Sequence, residues 1–467
     1  MKTYTDLLPH QADAFQKLKS LKIGALYMGM GTGKTRTALE LIKLRLDSGK
    51  VDRVLWLCPC NVRRDLRHNI QTHSDLYETG LLTICGIETL SASVKTCSRL
   101  LSMVRSNRVF LVVDESSLVK NHAALRSIHI TQLAAGCLYR LILNGTPVTR
   151  SYEDLFSQWF LLDWRILGYR SFWSFSANHL EYDDRGRIRR ALNVDYLVSK
   201  MSPYTFQCTS EECFTLPAKQ YSSRGFYLTD EQLNNYDYVI QRLLTSLDEM
   251  KPESIYQLFG ALQSVSCGYS VTVDKRKRID RFPLFPDPAD NPRIQALLEA
   301  LYDNSEKCII FCKYTDEILS IVKLLNSHVP GIAVPFYGGV SSANREASIE
   351  SFRGSAQYLV ANKSCGAFGI NLQFCHKIIY YSNDWDWGTR AQSEDRIWRY
   401  GQTVPCEFLD IFAFDTIDIK ILDCLSRKGN IADALKCEIK KSQSKSDFIS
   451  MLHGGVYGKD LSKPKRL

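Results

Sequence analysis

The chain has no apolar run approaching the roughly 20 residues that a membrane-crossing helix requires. Its amino terminus, Met-Lys-Thr-Tyr-Thr-Asp, leads into polar sequence and not into the apolar core of a secretory leader, so a cytoplasmic location with no membrane partner is expected. No Cys-x-x-Cys pair occurs among its 15 cysteines. Their number is odd, Cys58 and Cys60 flank a proline, and Cys308 and Cys312 sit in an apolar run; they read as reduced core residues and not as disulfides or zinc ligands. A large excess of one charge is also missing: 59 Lys and Arg against 50 Asp and Glu leave +9, which favours a polyanionic partner over a membrane or an acidic protein. What is present, 45% hydrophobic and 23% charged residues, describes a globular protein, and 467 residues are too many for one ordinary core.

Short apolar runs at 23–28, 54–57, 109–113 and 138–143 alternate with helical patterns, the rhythm of a parallel α/β sheet. The text then turns aromatic and mixed, and residues 228–247 run at helical spacing after Thr229-Asp230-Glu231. That helical insertion ends in Lys275-Arg276-Lys277-Arg278 and is followed by a Pro-rich stretch, 282–292, read as a hinge between domains. Strand candidates return at 308–311, 332–336, 358–360, 377–381 and 408–412, which predicts a second sheet domain. The last forty or so residues are basic and rich in Ser and Lys, without a strong period.

Gly29-Met30-Gly31-Thr32-Gly33-Lys34-Thr35 follows a strand candidate and opens a helical run. Such glycines let backbone N–H groups curl around phosphate oxygens, while Lys34 supplies a point charge and Thr35 a hydroxyl for Mg2+. The strict phosphate-loop pattern wants glycine at position 28, where this chain has Met28. Asp114 and Glu115 end an apolar strand candidate, where Asp114 would face Mg2+ and Glu115 would set up the attacking water. Taken alone, such a pair is more often a helix cap. Together the two elements specify a nucleotide hydrolase or kinase, with ATP and Mg2+ as the expected ligands.

Read in order, the segments resemble superfamily 2 helicases, most closely the Swi/Snf-like group. Leu8-Pro9-His10-Gln11 is similar to the adenine-reading glutamine motif, so the resemblance implies that Gln11 contacts the base. Residues 55–59 resemble motif Ia, and Asp114-Glu115-Ser116-Ser117 resembles motif II with Ser-Ser in place of the commoner Gly-His. Leu143-Asn144-Gly145-Thr146-Pro147 resembles motif III, 308–325 motif IV, and 360–372 motif V, in which Gly369 belongs to the best-matched part. The string from Gln392 to Gln402 is very similar to motif VI and is the most specific in the chain. An arginine brought from a second domain stabilises the charge that develops as the γ-phosphate leaves, and Arg396 and Arg399 share one face if their segment is helical. Gln392 joins them as a site residue.

The resemblance implies two tandem RecA-like parallel-sheet domains. The expected limits are 1–228 for the first, 229–290 for a helical insertion and linker, 291–430 for the second, and 431–467 for a basic tail. It further implies a DNA-dependent ATPase or helicase. The compact length, the Ser-Ser variant of motif II and the small insertion resemble phage-encoded members of the group, which include helicases acting on forks and junctions, so branched DNA is the expected substrate. A duplex translocase that strips bound proteins is the main rival, and a nucleic-acid-binding switch the remaining alternative. Candidate DNA contacts are Arg63 and Arg64 after motif Ia, Lys313, Lys363, Trp385, and the run Lys275, Arg276, Lys277 and Arg278. The run reads equally as a solvated face, and core packing is the expected role of at least one of Trp385 and Trp387.

Overall fold

Along the early strands alternate side chains point to opposite faces, and both faces are apolar, which is the pattern of a parallel sheet covered on two sides. Val54 and Trp56 enter one core while Leu55 and Leu57 enter the other; Phe110 and Val112 divide from Leu111 and Val113 in the same way. The structure, a computed structural model, describes residues 1–145, 152–182, 188–244, 252–274, 276, 278–302, 304–363, 372–427, 449 and 452. The chain divides into two compact units, Met1–Leu216 and Pro217–Leu467.

In the first unit β1 (Ile23–Met28), β2 (Arg53–Cys58), β3 (Leu82–Gly86), β4 (Val109–Asp114) and β5 (Tyr139–Asn144) are crossed by helices. A small antiparallel pair, β6 (Leu180–Tyr182) and β7 (Ile188–Ala191), precedes β8 (Thr205–Cys208). The main sheet runs β3-β2-β4-β5-β1-β8, all pairs parallel. Its carboxyl edge therefore gathers the loops that follow β1, β2 and β4, where α/β sheets bind ligands.

In the second unit β9 (Lys219–Phe226) lies at the edge of a second six-stranded parallel sheet. A two-stranded hairpin follows, β10 (Tyr269–Val273) and β11 (Ile279–Pro283), then β12 (Cys308–Cys312), β13 (Ala333–Phe336), β14 (Tyr358–Asn362), β15 (Lys377–Tyr380) and β16 (Cys406–Ala413). The order is β13-β14-β12-β15-β16-β9. Two tandem parallel-sheet domains are thus present.

Their limits differ from those read in the sequence. The strand β9, assigned to a first domain ending at 228, pairs along its whole length with β16, so the division falls at Leu216–Pro217. The insertion is no separate body: Tyr236, Ile240, Leu258 and Leu262 share one core with Ile310, Val360, Ile379 and Ile411. The Pro-rich stretch expected as an interdomain hinge lies inside the second unit, where Asn291 donates to the Cys267 carbonyl at 3.0 Å. Part of the segment read as a tail is also core. Leu452 is fully buried, and its carbonyl accepts from the Tyr236 hydroxyl at 2.9 Å. Among the described residues no helix is long and apolar enough to cross a membrane.

Candidate active site

At the carboxyl end of β1, the buried Met28 side chain packs into the core, which accounts for the missing glycine of the strict pattern. Residues 29–33 then turn into the helix Lys34–Asp47, whose first N–H groups lack helical partners and face the loop. Gly33 has φ 86° and ψ 37°, a conformation that side chains resist, and an added Cβ there would stand 2.1 Å from Nε2 of Gln11. Gln11 is buried on the helix Pro9–Leu18. Its Nε2 donates to the Thr32 carbonyl at 3.0 Å and its Oε1 accepts from the Leu8 N–H at 3.1 Å, so it braces the loop. Lys34 Nζ donates to the Met28 carbonyl at 2.9 Å and the Gly29 carbonyl at 3.3 Å, across the mouth of the loop. Thr35 stands half-buried in the first helical turn.

Two strands away, β4 ends at Asp114. Its Oδ1 accepts from the Glu115 N–H at 3.0 Å. Burial, more than the neighbouring Glu115 carboxylate, pushes the Asp114 carboxyl up to about 7, while the Lys34 ammonium pulls the other way. The loop lysine and the strand-end acid thus lie within electrostatic reach of each other. Glu115 adopts φ 52° and ψ 55°, a left-handed conformation unusual for a residue with a side chain and a kind of strain that collects at functional sites. Ser116, in place of the commoner glycine, is fully buried and donates to Gln158 Oε1 at 2.6 Å on the helix Asp154–Leu167. Motif III begins with buried Leu143 and Asn144, and the Asn144 Oδ1 accepts from the Gly145 N–H at 2.9 Å; Thr146 and Pro147 lie outside the described residues, as does Gly369.

In the second unit the helix Trp387–Glu394 carries half-buried Gln392 and ends before the arginines. The condition on which Arg396 and Arg399 would share a helix face is therefore not met. They lie in successive turns, with Arg396 buried and Arg399 half-buried. Burial draws the Arg399 guanidinium below the usual arginine value, while Asp395 opposes it. The Arg396 carbonyl accepts from the Leu372 N–H at 3.2 Å, and Gln402 Nε2 donates to the carbonyls of Gln373 at 3.0 Å and Cys375 at 3.1 Å. These bonds tie the end of motif V to motif VI.

The expected DNA contacts divide. Arg63 and Arg64 are exposed at the start of the helix Arg63–His73, just past the carboxyl end of β2. Arg276 and Arg278 are exposed in the turn of the β10–β11 hairpin, their N–H groups held by Asp274 Oδ1 at 2.7 and 2.8 Å; Lys275 and Lys277 lie outside the described residues. Lys363 corrects its reading as a phosphate contact. It is 1% exposed, and its Nζ donates to Asn383 Oδ1 at 3.0 Å, with burial pulling the ammonium down to about 8. Lys313 is likewise engaged: its Nζ donates to Gln263 Oε1 at 2.5 Å and stands 3.6 Å over the Trp385 ring. Trp385 stacks on Tyr256 at 5.9 Å and donates to the same Gln263 oxygen at 2.9 Å, so it packs the insertion onto the second sheet and does not stand free for a base.

One cluster escaped the sequence reading. Arg390 makes a two-pronged bond to Asp410 at 2.6 and 3.0 Å and a third to Glu394 at 2.8 Å, over the Tyr380 ring at 3.4 Å. Both Arg390 and Glu394 stand inside or beside motif VI, but only the fold brings them to Asp410 on β16 and Lys219 on β9.

The SNF2-related domain model matches residues 18–267, more than half of the chain, and the helicase conserved C-terminal domain model matches 292–401. An uncharacterized ATP-dependent helicase, YqhH of Bacillus subtilis, is 24% identical over 96% of this chain and 84% of its own length. A second, MG018 of Mycoplasma genitalium, is 22% identical over 78% of this chain, which spans only 34% of that protein. The SWI2/SNF2 ATPase core of Sulfolobus solfataricus, solved with double-stranded DNA, is 20% identical, with 97% of this chain and 98% of that one covered and a TM-score of 0.41.

Proposed function

The chain belongs to the SNF2-related family and is an ATP-dependent helicase or translocase; from that premise we propose how it hydrolyses ATP and on which DNA it acts. The observation that carries the ATP site is the braced loop at the end of β1, with Lys34 across its mouth and Asp114 at the end of β4 in the same sheet. Lys34 leaves its loop carbonyls for the β- and γ-phosphates, and the loop and helix N–H groups bind their oxygens. Gln11, at the edge of the loop, reads the adenine. Thr35 and Asp114 are hard oxygen donors that suit Mg2+, and Asp114, a half-buried carboxyl whose anionic form its surroundings disfavour, fits a place beside a cation. That ion supplies charge neutralisation on the phosphates. Glu115 orients and deprotonates the attacking water, and Arg396, Arg399 and Gln392 stabilise charge on the departing phosphoryl group. Lys34, Asp114 and Glu115 belong to the first unit, and Gln392, Arg396 and Arg399 to the second.

The substrate we favour is branched DNA. Exposed Arg63 and Arg64 supply phosphate contacts, and the hairpin turn at Asp274–Arg278 offers a slim basic element to stand between strands. Such a small element suits a pre-opened branch, where one base pair is exchanged for another at little net free energy. ATP turnover and strand separation measured side by side on linear duplex, single strand, fork and four-way junction test this. Efficient processing of forks and junctions with poor unwinding of blunt duplex is expected. Equal unwinding of both rejects the branch preference, and turnover with no strand separation on any substrate makes the chain a duplex translocase.

A further inference from the structure

The chain passes from the first unit to the second at Leu216–Pro217, and the first residues past that point are fastened to the arginine segment. The Trp398 indole N–H donates to the Pro217 carbonyl at 2.7 Å, and the Cys406 N–H donates to the Ala218 carbonyl at 3.0 Å. Lys219 Nζ donates to Glu394 Oε2 at 3.1 Å, lies 3.9 Å from Asp395, and stands 4.0 Å over the Trp398 ring. The Tyr221 hydroxyl donates to the same Glu394 oxygen at 2.8 Å, and Arg390 holds the other. Glu394 is fully buried, is the last residue of its helix, and stands two residues before Arg396.

The ammonium is not what holds β9 in the sheet. Eight residue pairs, from Cys406↔Lys219 to Ala413↔Phe226, already fix the strand by its backbone. The nearest partners of the Lys219 charge, Glu394, Asp395 and Trp398, lie instead at the helix end and in the turn region around the arginines, with the Phe408 ring of β16 farther off at 5.8 Å. Past Glu394 the chain continues in turns and not in an α-helix, so its backbone bonds, such as that from the Leu372 N–H to the Arg396 carbonyl, share with its side-chain anchors the placing of Arg396 and Arg399. A buried carboxylate left with fewer donors either draws in water or shifts.

We propose that Lys219 is a positioning residue for ATP hydrolysis, clamping the turn that bears Arg396 and Arg399 to the segment through which the chain enters the second unit. The inference rests on the catalytic role assigned above to those arginines. Displacement of the entering segment then reaches the arginines without passing through the rest of the sheet.

Lys219→Met in the full chain keeps the side-chain stem on Trp398 and removes the charge. DNA-stimulated kcat should fall about tenfold with KM for ATP within about twofold of the starting value, because the loss is felt in the transition state. Lys219→Arg should restore most of it. In an Arg399→Ala background, where the charge being positioned is already gone, Lys219→Met should lower kcat no further. An unchanged kcat with a lowered Tm, or a loss that multiplies in full with Arg399→Ala, overturns the proposal. If Lys219→Met does not fold, Trp398→Phe, which loses the bond to Pro217, takes its place with the same expectations, and unchanged turnover there overturns it. Wild-type turnover in Arg399→Ala itself refutes the arginine assignment, whereas a dead Arg399→Ala beside a fully active Lys219→Met refutes only the clamp.

Discussion

Gly33→Ala measures how firmly the phosphate loop is held. The residue sits at φ 86°, where a side chain costs about 1–2 kcal/mol. The new Cβ would lie 2.1 Å from Gln11 Nε2, and Gln11 is buried with both ends of its amide bonded. Moving the amide away gives up the bond to the Thr32 carbonyl, roughly 0.5–1.5 kcal/mol. The sum is about 1.5–3.5 kcal/mol against the binding-competent loop, which at 1.4 kcal/mol per decade raises Kd for ATP roughly 10- to 300-fold. Equilibrium titration with a fluorescent ATP analogue reads this directly. In a Gln11→Ala background the Cβ meets no amide, so the same substitution should retain only its backbone cost, about tenfold. Wild-type affinity in Gly33→Ala, or an equal penalty in both backgrounds, refutes the bracing role of Gln11.

Lys34→Ala should abolish ATP hydrolysis, while Glu115→Gln should bind nucleotide and turn it over very slowly; phosphate release and nucleotide titration check both, and normal turnover in either removes the assignment. Arg399→Ala should bind ATP nearly normally yet lose about a thousandfold in DNA-stimulated kcat, with unchanged kinetics counting against a catalytic motif VI. Replacing Lys275, Arg276, Lys277 and Arg278 together by alanine should weaken DNA binding and flatten its salt dependence with basal ATPase spared; unchanged binding returns the turn to a solvated face. Lys363 titrates lower in the folded chain, near 8, than its ordinary 10.5, so between those values the unfolded chain holds more protons and stability rises with pH. Wild-type Tm should therefore climb relative to Lys363→Met between about pH 8 and pH 9.5, and parallel profiles refute the buried, titrating lysine.

Strands buried on both faces were legible in the sequence because burial writes continuous apolar text: β1 lies where 23–28 was read, and β4 and β12 differ from their readings by a residue at the end. The edge strand β9, Lys-Gln-Tyr-Ser-Ser-Arg-Gly-Phe, was not legible, since four of its eight residues are exposed and only Tyr221 and Phe226 interrupt its polar text, with no continuous apolar run to mark it. Missing it displaced the division between units. The phosphate loop and the Asp-Glu pair could be read because each is one local string. Lys363 was misplaced for the opposite reason: its partner, Asn383, comes from another element, and a lysine beside a motif looks the same in sequence whether it faces solvent or an amide; Trp385, bonded to Gln263, takes the core-packing role expected of at least one of the two tryptophans and not the base contact. The Lys219–Glu394 pair joins residues far apart in the chain and left no local signal.

The pairing of β9 with β16 also bears on the order in which the protein can be made. Lys219 and its register partner Cys406 are about 190 residues apart, so the outer edge of the second sheet cannot close until nearly the whole unit has left the ribosome, a long-range contact of the kind that slows folding. The first unit has its last sheet strand by Cys208 and can acquire its structure while the rest is still being synthesised. During that interval β9 is a polar strand without its mate, and its Lys, Gln, Ser and Arg side chains are those that discourage a waiting edge from pairing with a neighbouring chain.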